Sequence, residues 1–356
     1  MKLLNIINWP IVLSSLFLVS IGILVIYSSS PELALQQFIY TIIGFLFYLF
    51  ISQLDCDTFK RLINPTYILT LILLITVLFL GYETRGSIRW IPLGFINIQP
   101  SEFAKVAIIL TLSAFWTKNV PTWINIFKSI VLISPFLLLI FNQPDLGSTL
   151  TLMAIWVGML FGSRVSIKKI IILTLIAILV IPAGWLVLKD YQKQRIVGFL
   201  TPESDPLGRG YNLIQSTIAV GSGQFLGRGL GRGTQSRLQF LPEFRTDFIF
   251  ASIAEEMGFL GSIIILSIYF YLLTLCLKKA NQARDNFNFL LILGVFSMLI
   301  FQIFINIGMN IGLVPITGIT LPLISYGGSS LIVTFICLGL ISSAAKFGRR
   351  IDKEDY

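Results

Sequence analysis

The run TDFIFASIAEEMGFLGSIIILSIYFYLLTLCL (246–277) is apolar almost throughout, yet it contains three carboxylates, Asp247, Glu255 and Glu256. An α-helix over residues 247–277 would be about 45 Å long, whereas the hydrocarbon core of a bilayer is about 30 Å thick. The run therefore predicts a membrane-spanning helix whose first turns project from the membrane or line a cavity. Carboxylates at such depth usually face a bundle interior or a wet cavity.

The whole chain shares this hydrophobic character. Of its 356 residues, 55% are hydrophobic and only 12% are charged, and the mean hydropathy is +0.86. Apolar runs of about 20 residues recur from end to end, and each is long enough for one helical crossing. The composition predicts an all-α polytopic membrane protein.

Several kinds of chemistry are excluded by composition. The chain has no His, so His-ligated zinc, His-ligated haem and Ser–His or Cys–His catalytic pairs are ruled out. Its three cysteines, Cys56, Cys276 and Cys337, are too far apart to indicate a disulfide framework or a metal-binding motif.

About ten spans can be placed in one membrane domain covering 1–356. They lie near 10–29, 35–53, 64–81, 101–117, 125–142, 146–162, 168–188, 247–277, 287–307 and 318–345. If the N-terminus is inside, the cytoplasmic segments hold fifteen Lys and Arg residues and the short outer loops hold two. This asymmetry predicts that both termini are cytoplasmic and that the long connection 189–246, between spans 7 and 8, is extracytoplasmic.

The net charge of +9 is explained mostly by this topology and by attraction to anionic membrane lipids, so no nucleic-acid partner is expected. The loop 189–246 carries a net charge of +4, and its segment 208–233 has eight glycines in 26 residues. One interpretation is an outer surface that binds an anionic ligand, with Gly-Arg repeats around phosphate oxygens. The other is a flexible linker that happens to be basic.

The three carboxylates of the opening run also have structural interpretations. Asp247 could be a first-turn acid of a helix for which Thr246 is the N-cap. Glu255 and Glu256 could form ion pairs inside the bundle. QPSEFAK (99–105) starts another helix from the outer side and places Glu102 and Lys105 three residues apart on one face.

Further polar residues occur in segments that enter from the same outer side. RWIPLG (89–94) joins Arg89 to Trp90, an aromatic that can anchor at a headgroup or stack on a sugar. QPDLGST (143–149) begins a helix with Asp145 near its start. The Pro- and Gly-broken segment 312–331 contributes Ser325. Irregular backbone at membrane depth is tolerated where it lines a cavity, so an outward-opening site is expected.

Together these motifs resemble the SEDS family (shape, elongation, division, sporulation) of peptidoglycan polymerases. The motifs are RWIPLG, QPSEFAK, QPDLGST, GRGTQSRLQFLPEFRTDFIFASIAEEMGFLG (231–261) and PLISYGGSS (322–330). The match runs from the first span to the last, and the lead-in to Asp247 is most similar to the elongation member. The resemblance implies a ten-helix glycosyltransferase that polymerises lipid II outside the bacterial cytoplasmic membrane, usually with a class B penicillin-binding protein.

The resemblance also implies roles for residues. The family's essential Asp falls on Asp247, and its Arg-Trp pair falls on Arg89 and Trp90. Its Glu and Lys of the QPSE motif fall on Glu102 and Lys105. The family usually has a His where this chain has Arg245, which replaces a group that titrates near neutral pH with a permanent cation.

The expected chemistry needs few groups. Asp247 is the predicted general base for a sugar hydroxyl that displaces undecaprenyl pyrophosphate, with Arg245 and Ser325 among the substrate contacts. Cations offset the charge of the leaving group, and a divalent ion such as Mg²⁺ is an open possibility. Glu255, Glu256, Asp145 and Thr246 are expected in supporting or structural roles.

Two other functions fit a wet cavity among ten helices. A flippase for lipid-linked precursors is one, although the inverted repeats and paired broken helices of many transporters are not evident here. A scaffold within a cell-wall synthase complex, without catalysis, is the other and requires nothing of Asp247.

Overall fold

The computed structural model describes residues 8–80, 82–84, 87–93 and 96–347. Ten of its helices have 17 residues or more within these ranges. They are α1 (Trp9–Ser29), α2 (Pro31–Ile51), α3 (Cys56–Leu80), α4 (Pro100–Lys118), α5 (Trp123–Asn142), α6 (Leu146–Gly162), α7 (Ile167–Val187), α11 (Ile249–Asn281), α12 (Asn286–Asn310) and α13 (Gly328–Phe347). Five positive residues used to predict orientation lie outside the described residues: Lys2, Arg85, Arg349, Arg350 and Lys353.

The ten long helices correspond one to one with the ten predicted spans. Seven helices of the described part are long and apolar enough to cross a membrane by length and composition, namely α1, α2, α3, α5, α11, α12 and α13. The fold is therefore an all-α polytopic membrane bundle, as predicted. Some boundaries were wrong: α3 begins at Cys56 rather than near 64, and α13 begins at Gly328 rather than near 318.

Helix α12 lies at the centre of the bundle, packed against α4, α6, α11 and α13, while α2 packs along α13. Close approach to α6 depends on a glycine, because a Cβ on Gly158 would lie 2.0 Å from Ser297 Oγ. Small residues at such crossings let membrane helices pack tightly. The outward faces of α3 and α7 expose large apolar side chains such as Phe79 and Leu179, which suits contact with lipid.

The connection between α3 and α4, where the sequence predicts a loop over 86–102, contains a small antiparallel sheet. Its strands are β1 (Tyr82–Thr84), β2 (Ser87–Leu93) and β3 (Ile96–Ile98), in the order β1-β2-β3. Trp90 pairs with Tyr82 on one side, and Ile91 pairs with Ile98 on the other. The sheet places Arg89 and Trp90 beside the start of α4.

The connection 189–246 contains three short helices, α8 (Asp190–Leu200), α9 (Tyr211–Ser222) and α10 (Thr234–Arg237), with a 3₁₀ turn at Pro202–Ser204. Helix α9 packs against α11 and α12. Leu241, Phe244 and Phe248 form a small apolar cluster with residues of α9 and α11. This segment is therefore packed onto the bundle, unlike a flexible linker.

Helix α11 is broken, contrary to the continuous helix predicted over 247–277. It begins at Ile249, and Gly258 within it has φ 66° and ψ −163°. That left-handed backbone suits glycine, and a Cβ on Gly258 would lie 2.3 Å from Gly227 N. Asp247 was predicted to be the first residue of this helix, but it precedes the helix by two residues.

The break exposes backbone groups that the glycine-rich loop satisfies. The amides of Arg228 and Gly229 donate to the carbonyls of Glu255 (2.9 Å) and Glu256 (3.0 Å). In return the amide of Phe259 donates to the carbonyl of Gln224 at 2.9 Å. Buried backbone groups need such partners in a membrane, so the loop and the broken helix form one unit.

Candidate active site

A cavity of about 930 Å³ opens where the sheet, α4, α6, α12 and the segments before α11 and α13 meet. Most of the sequence-predicted site residues lie on its wall. They are Arg89, Trp90, Glu102, Lys105, Asp145, Arg245, Thr246 and Asp247. Ser325, Glu255 and Glu256 are not among its lining residues.

The backbone of Asp247 is held from behind by two buried asparagines of α12. Asn306 Nδ2 donates to the Asp247 carbonyl at 2.8 Å, and Asn310 Nδ2 donates to it at 3.0 Å. Asn310 Oδ1 also accepts from the amide of Ala251 at 3.0 Å, which satisfies a free donor in the first turn of α11. Asp247 is thereby fixed to both α11 and α12.

Thr246 does not have the N-cap position that the sequence suggested. Phe248 is the residue before the helix, and Thr246 Oγ1 donates to Glu243 Oε2 at 3.0 Å. The cap prediction was wrong because the chain turns for two further residues before the helix starts. Thr246 instead stabilises the turn that brings Asp247 to the cavity wall.

Ser325 lies behind the cavity wall rather than on it. It is 5% exposed, its Oγ donates to the carbonyl of Thr246 at 2.6 Å, and it accepts from the amide of Leu321 at 2.8 Å. These backbone contacts occupy the hydroxyl, so the structure replaces the predicted substrate contact with support of the segment before Asp247. The neighbouring Tyr326 does line the cavity.

Glu102 and Lys105 form a buried ion pair on the first turns of α4. Lys105 Nζ lies 2.6 Å from Glu102 Oε1, and the two residues are 2% and 6% exposed. Glu102 in the first turn of a helix also interacts favourably with the helix dipole. Because the pair is buried, its charges act in a medium of low dielectric and are weakly screened.

Arg89 and Asp145 join the sheet to the α5–α6 corner. Arg89 Nη1 lies 3.9 Å from Asp145 Oδ1, and its Nε donates to the carbonyl of Gln143 at 3.1 Å. Asp145 is the N-cap of α6, where its carboxylate accepts from the amide of Ser148 at 3.0 Å. Gln99 Nε2 donates to the same carboxylate at 3.1 Å.

Arg245 reaches across to the end of α1. Its Nε donates to Ser29 Oγ at 2.9 Å, and its guanidinium lies 4.4 Å from the ring centre of Phe244. Burial lowers the pKa of Arg245 from its usual value, and the charge of Glu243 opposes this shift. An Arg remains protonated at any working pH, so a fixed cation lies two residues from Asp247.

Glu255 binds residues 234–236, directly after the glycine-rich segment 208–233, rather than a cation. Its carboxylate accepts from the amides of Gln235 (2.9 Å) and Ser236 (3.2 Å), and from the hydroxyls of Thr234 (3.2 Å) and Ser236 (3.0 Å). The side chain is completely buried. The ion pairs suggested for it from the sequence are therefore replaced by four hydrogen bonds.

Glu256 makes a similar attachment to α1, where Ser28 Oγ donates to it at 2.9 Å. Two arginines of this region are also engaged within the loop. Arg237 Nη1 donates to the carbonyl of Gly231 at 2.7 Å, and Arg228 Nη1 donates to Thr234 Oγ1 at 3.1 Å. None of the three arginines of the Gly-Arg repeats, Arg209, Arg228 and Arg232, lines this cavity, so the repeats form no phosphate cradle on its wall.

Several polar groups of the cavity wall were missed by sequence reasoning, among them Gln302, Arg195, Tyr40 and Glu243. Gln302 on α12 is 3% exposed and lines the cavity, and its amide inside an apolar span was an available signal. Arg195 comes from α8 and Tyr40 from α2. Arg195 was grouped only with the other basic loop residues, because nothing local in the sequence indicates that α8 folds back over the cavity.

Among the residues that the structure describes, the cavity wall combines four cations with four carboxylates. The cations are Arg89, Lys105, Arg195 and Arg245, and the carboxylates are Glu102, Asp145, Glu243 and Asp247. In such a cavity the cations can bind an anionic group while a neighbouring carboxylate accepts a proton. In the described part of the chain, no three Cys, Asp or Glu side chains are grouped to hold a metal ion.

Comparisons place the chain beside bacterial cell-wall proteins. The family model of FtsW, RodA and SpoVE, described as "Cell cycle protein", matches residues 3–350. "Peptidoglycan glycosyltransferase MrdB" of Escherichia coli K12 is 41% identical over 290 residues, covering 81% of this chain and 78% of that protein. "Stage V sporulation protein E" of Bacillus subtilis is 35% identical over 356 residues, covering 95% and 97%.

Solved structures agree along nearly the whole chain. One comes from work on "Structural coordination of polymerization and crosslinking by a peptidoglycan synthase complex". It has a TM-score of 0.83 and 32% identity, covering 95% of this chain and 97% of the other. The crystal structure of the Rod shape determining protein RodA of Thermus thermophilus has a TM-score of 0.74 and 26% identity, covering 96% and 98%.

Proposed function

The chain belongs to the family of FtsW, RodA and SpoVE, and on that premise we propose that it is a peptidoglycan glycosyltransferase that polymerises lipid II into glycan strands for cell elongation and shape. It is a multi-pass protein of the bacterial inner membrane. The observation that carries the proposal is that Asp247 lies on the wall of a 930 Å³ cavity that also contains four Lys and Arg side chains.

In the proposed reaction Asp247 is the general base. A hydroxyl of the acceptor sugar attacks the anomeric carbon of the donor, and its proton passes to the Asp247 carboxylate. The new carbon–oxygen bond forms on the face opposite the bond that breaks. The donor's pyrophosphate oxygen takes the electron pair, and undecaprenyl pyrophosphate leaves. Because this leaving group is already stable, no strong general acid is required.

The cations of the cavity stabilise the leaving pyrophosphate. Arg89 and Arg245 are held by protein carbonyl and hydroxyl groups, so their charges are in place before the reaction begins. Lys105 is held by Glu102. Preorganised charges of this kind lower the barrier because they do not reorganise as charge develops.

Magnesium enters the proposal only with the substrate. The described residues offer no group of three acidic or thiol ligands. Mg²⁺ commonly binds through one or two carboxylates together with substrate phosphates, and Asp247 and Glu243 on the cavity wall fit that pattern. When bound, the ion would neutralise pyrophosphate charge. The test measures substrate binding to the Glu243→Gln variant in EDTA, without turnover. If binding is retained, it does not depend on a divalent cation; if it is lost, it does.

The orientation of the site is also part of the proposal. The excess of Lys and Arg in alternate connections supports cytoplasmic termini, and with that orientation the connection 189–246 and the cavity would face outward. The similarity to a structure from a peptidoglycan synthase complex supports a class B penicillin-binding protein as partner. Such a partner would crosslink the strands that this chain polymerises.

The test is polymerisation of lipid II by the purified protein in liposomes. We expect glycan ladders from the wild type, with or without a class B penicillin-binding protein, and a loss of at least about 10³-fold for Asp247→Asn, which keeps shape but removes the base. Asp190→Asn is the matched control, because Asp190 is exposed and does not line this cavity.

Each alternative function has its own outcome. Full polymerising activity of Asp247→Asn would show that the base is elsewhere. Movement of labelled lipid II between leaflets without any ladder would indicate a flippase. If neither activity is found and the chain only stimulates its partner, a scaffold is the remaining explanation.

A further inference from the structure

A second cavity of about 180 Å³ adjoins the first on the side of α8 and α9. The two cavities share three wall residues, Arg195, Glu243 and Asp247. The reaction proposed above uses only the larger cavity and one face of Asp247. It needs two sugar substrates, however, and it leaves open where the attacking one is held.

We infer that the smaller cavity is the acceptor subsite, which holds the sugar ring that carries the attacking hydroxyl, while the larger cavity holds the donor and its pyrophosphate. This inference rests on the proposed function. Its basis is that Asp247 lies on both walls, so its carboxylate can take a proton from a hydroxyl on one side while the donor's anomeric carbon lies on the other.

The two volumes divide the substrates by size. Pockets for drug-sized ligands are typically about 300–1,000 Å³. The larger cavity, at about 930 Å³, falls within that range and suits a disaccharide with its pyrophosphate. The smaller cavity falls below the range, so it suits a single sugar ring rather than a whole lipid-linked disaccharide.

The wall of the smaller cavity has the mixed character that a sugar requires. Phe199 and Phe248 offer apolar faces for the C–H side of a ring, while Arg209 and Asn212 offer hydrogen-bond donors for its hydroxyls. Asn212 is partly exposed on this wall. Asn212 lies on α9, whose position is fixed by Ser216 Oγ donating to the carbonyl of Asn310 at 2.8 Å.

The distribution of cations assigns the pyrophosphate to the larger cavity. Arg89, Lys105 and Arg245 line only that cavity. Arg209, which lines only the smaller cavity, forms an ion pair at 3.4 Å with Asp205. The negative charge that develops on the leaving group is therefore better stabilised on the donor side of Asp247 than on the acceptor side.

The test uses two half-substrates, each able to take one role. A lipid-linked disaccharide pyrophosphate whose attacking hydroxyl is blocked serves only as donor. A disaccharide methyl glycoside has no leaving group and serves only as acceptor. Initial coupling rates, measured while each is varied in turn, give separate KM values. Gln215→Ala is the matched control, because it removes an amide from the same helix but from neither cavity.

We expect Asn212→Ala to raise the acceptor KM roughly three- to tenfold, the range for loss of one hydrogen bond, and to leave the donor KM within about twofold. Asn212→Trp, which fills the cavity, should abolish coupling while the protein still retains the labelled donor. Thermal melting in detergent establishes that each variant is folded, and Asn212→Ala alone decides the question if Asn212→Trp does not fold.

Failure of the inference and failure of the proposed function look different. If the wild type couples the half-substrates but Asn212→Ala leaves the acceptor KM unchanged, or raises the donor KM instead, the smaller cavity is not the acceptor subsite. If the wild type transfers no sugar from any lipid-linked donor, lipid II included, the proposed function itself fails.

Discussion

Asn310 gives the most direct test of how Asp247 is held in place. In the Asn310→Ala variant three hydrogen bonds are lost. Asn310 Nδ2 donates to the carbonyls of Asp247 (3.0 Å) and Asn306 (2.7 Å), and Asn310 Oδ1 accepts from the amide of Ala251 (3.0 Å). Asn310 is completely buried and lines neither cavity.

The expected loss of stability follows from these contacts. A buried hydrogen bond contributes about 0.5–1.5 kcal/mol net, and a buried donor left without its acceptor costs about 1–3 kcal/mol. The two bonds to carbonyls account for about 1–3 kcal/mol and the unpaired Ala251 amide for about 1–3 kcal/mol, so we expect the free energy of unfolding to fall by about 2–6 kcal/mol. The carbonyl of Asp247 keeps its 2.8 Å hydrogen bond to Asn306, so the segment shifts rather than detaches.

The effect on catalysis should exceed the effect on binding. A displacement of about 1 Å at a reacting group costs roughly 10²-fold in rate. Asn310 contacts the backbone of Asp247 and no substrate surface, so we expect kcat for lipid II polymerisation to fall roughly 10²-fold while KM stays within about threefold. Asn306→Ala removes the other hydrogen bond to the same carbonyl and should show the same division between kcat and KM.

The assay compares initial rates and thermal melting with those of Asn288→Ala. Asn288 is also buried on α12, but it lies 22 residues away, about 33 Å along the helix. If Asn310→Ala keeps the wild-type kcat at a temperature where it is folded, the backbone position of Asp247 does not control the rate. If both variants lose kcat in proportion to their loss of stability, the effect is general destabilisation.

Three further variants test the charged groups. Arg245→His should retain activity near pH 6, where His is protonated, and lose it as the pH rises through about 6.5. The pH–rate profile of the wild type should show no such fall in activity, because Arg245 stays protonated. Lys105→Met should cost about 3–5 kcal/mol in unfolding free energy by leaving Glu102 buried and unpaired, and adding Glu102→Gln should restore melting but not polymerisation. Glu255→Ala should lower the melting temperature and make the 222–237 segment more sensitive to protease than in a Glu32→Ala control, because four hydrogen bonds to the loop are lost.

The bundle was predictable because each crossing is encoded locally. A run of about 20 apolar residues is sufficient for one membrane helix, whatever its neighbours are. The first turns of α4 were also predictable, since Glu102 and Lys105 are three residues apart and must share a helix face. Likewise, an Asp before a helical run, such as Asp145, commonly caps it.

The break in α11 was not predictable, because its cause lies far away in the chain. A Gly inside an apolar run is tolerated in a helix, and nothing near Gly258 distinguishes a break from a continuous helix. The break is stable only because residues of the 222–237 loop satisfy the carbonyls of Glu255 and Glu256. For the same reason, sequence reasoning missed Arg195, which reaches the cavity through the folding of α8.

The broken helix explains why one apolar run carries three carboxylates. Asp247 precedes the helix and lines the cavity, while Glu255 and Glu256 lie on the first segment of the helix and bind the loop and α1. Glu255 holds residues 234–236, and the chain then continues directly through 239–247, which forms part of the cavity wall. The stretch from 234 to 247, which positions Asp247, is therefore held at both ends. Glu255 holds its beginning, and the α12 asparagines hold its end. The buried carboxylate of Glu255 lies away from the substrate, and its role in this run is to fix the backbone that leads to Asp247, the carboxylate that reacts.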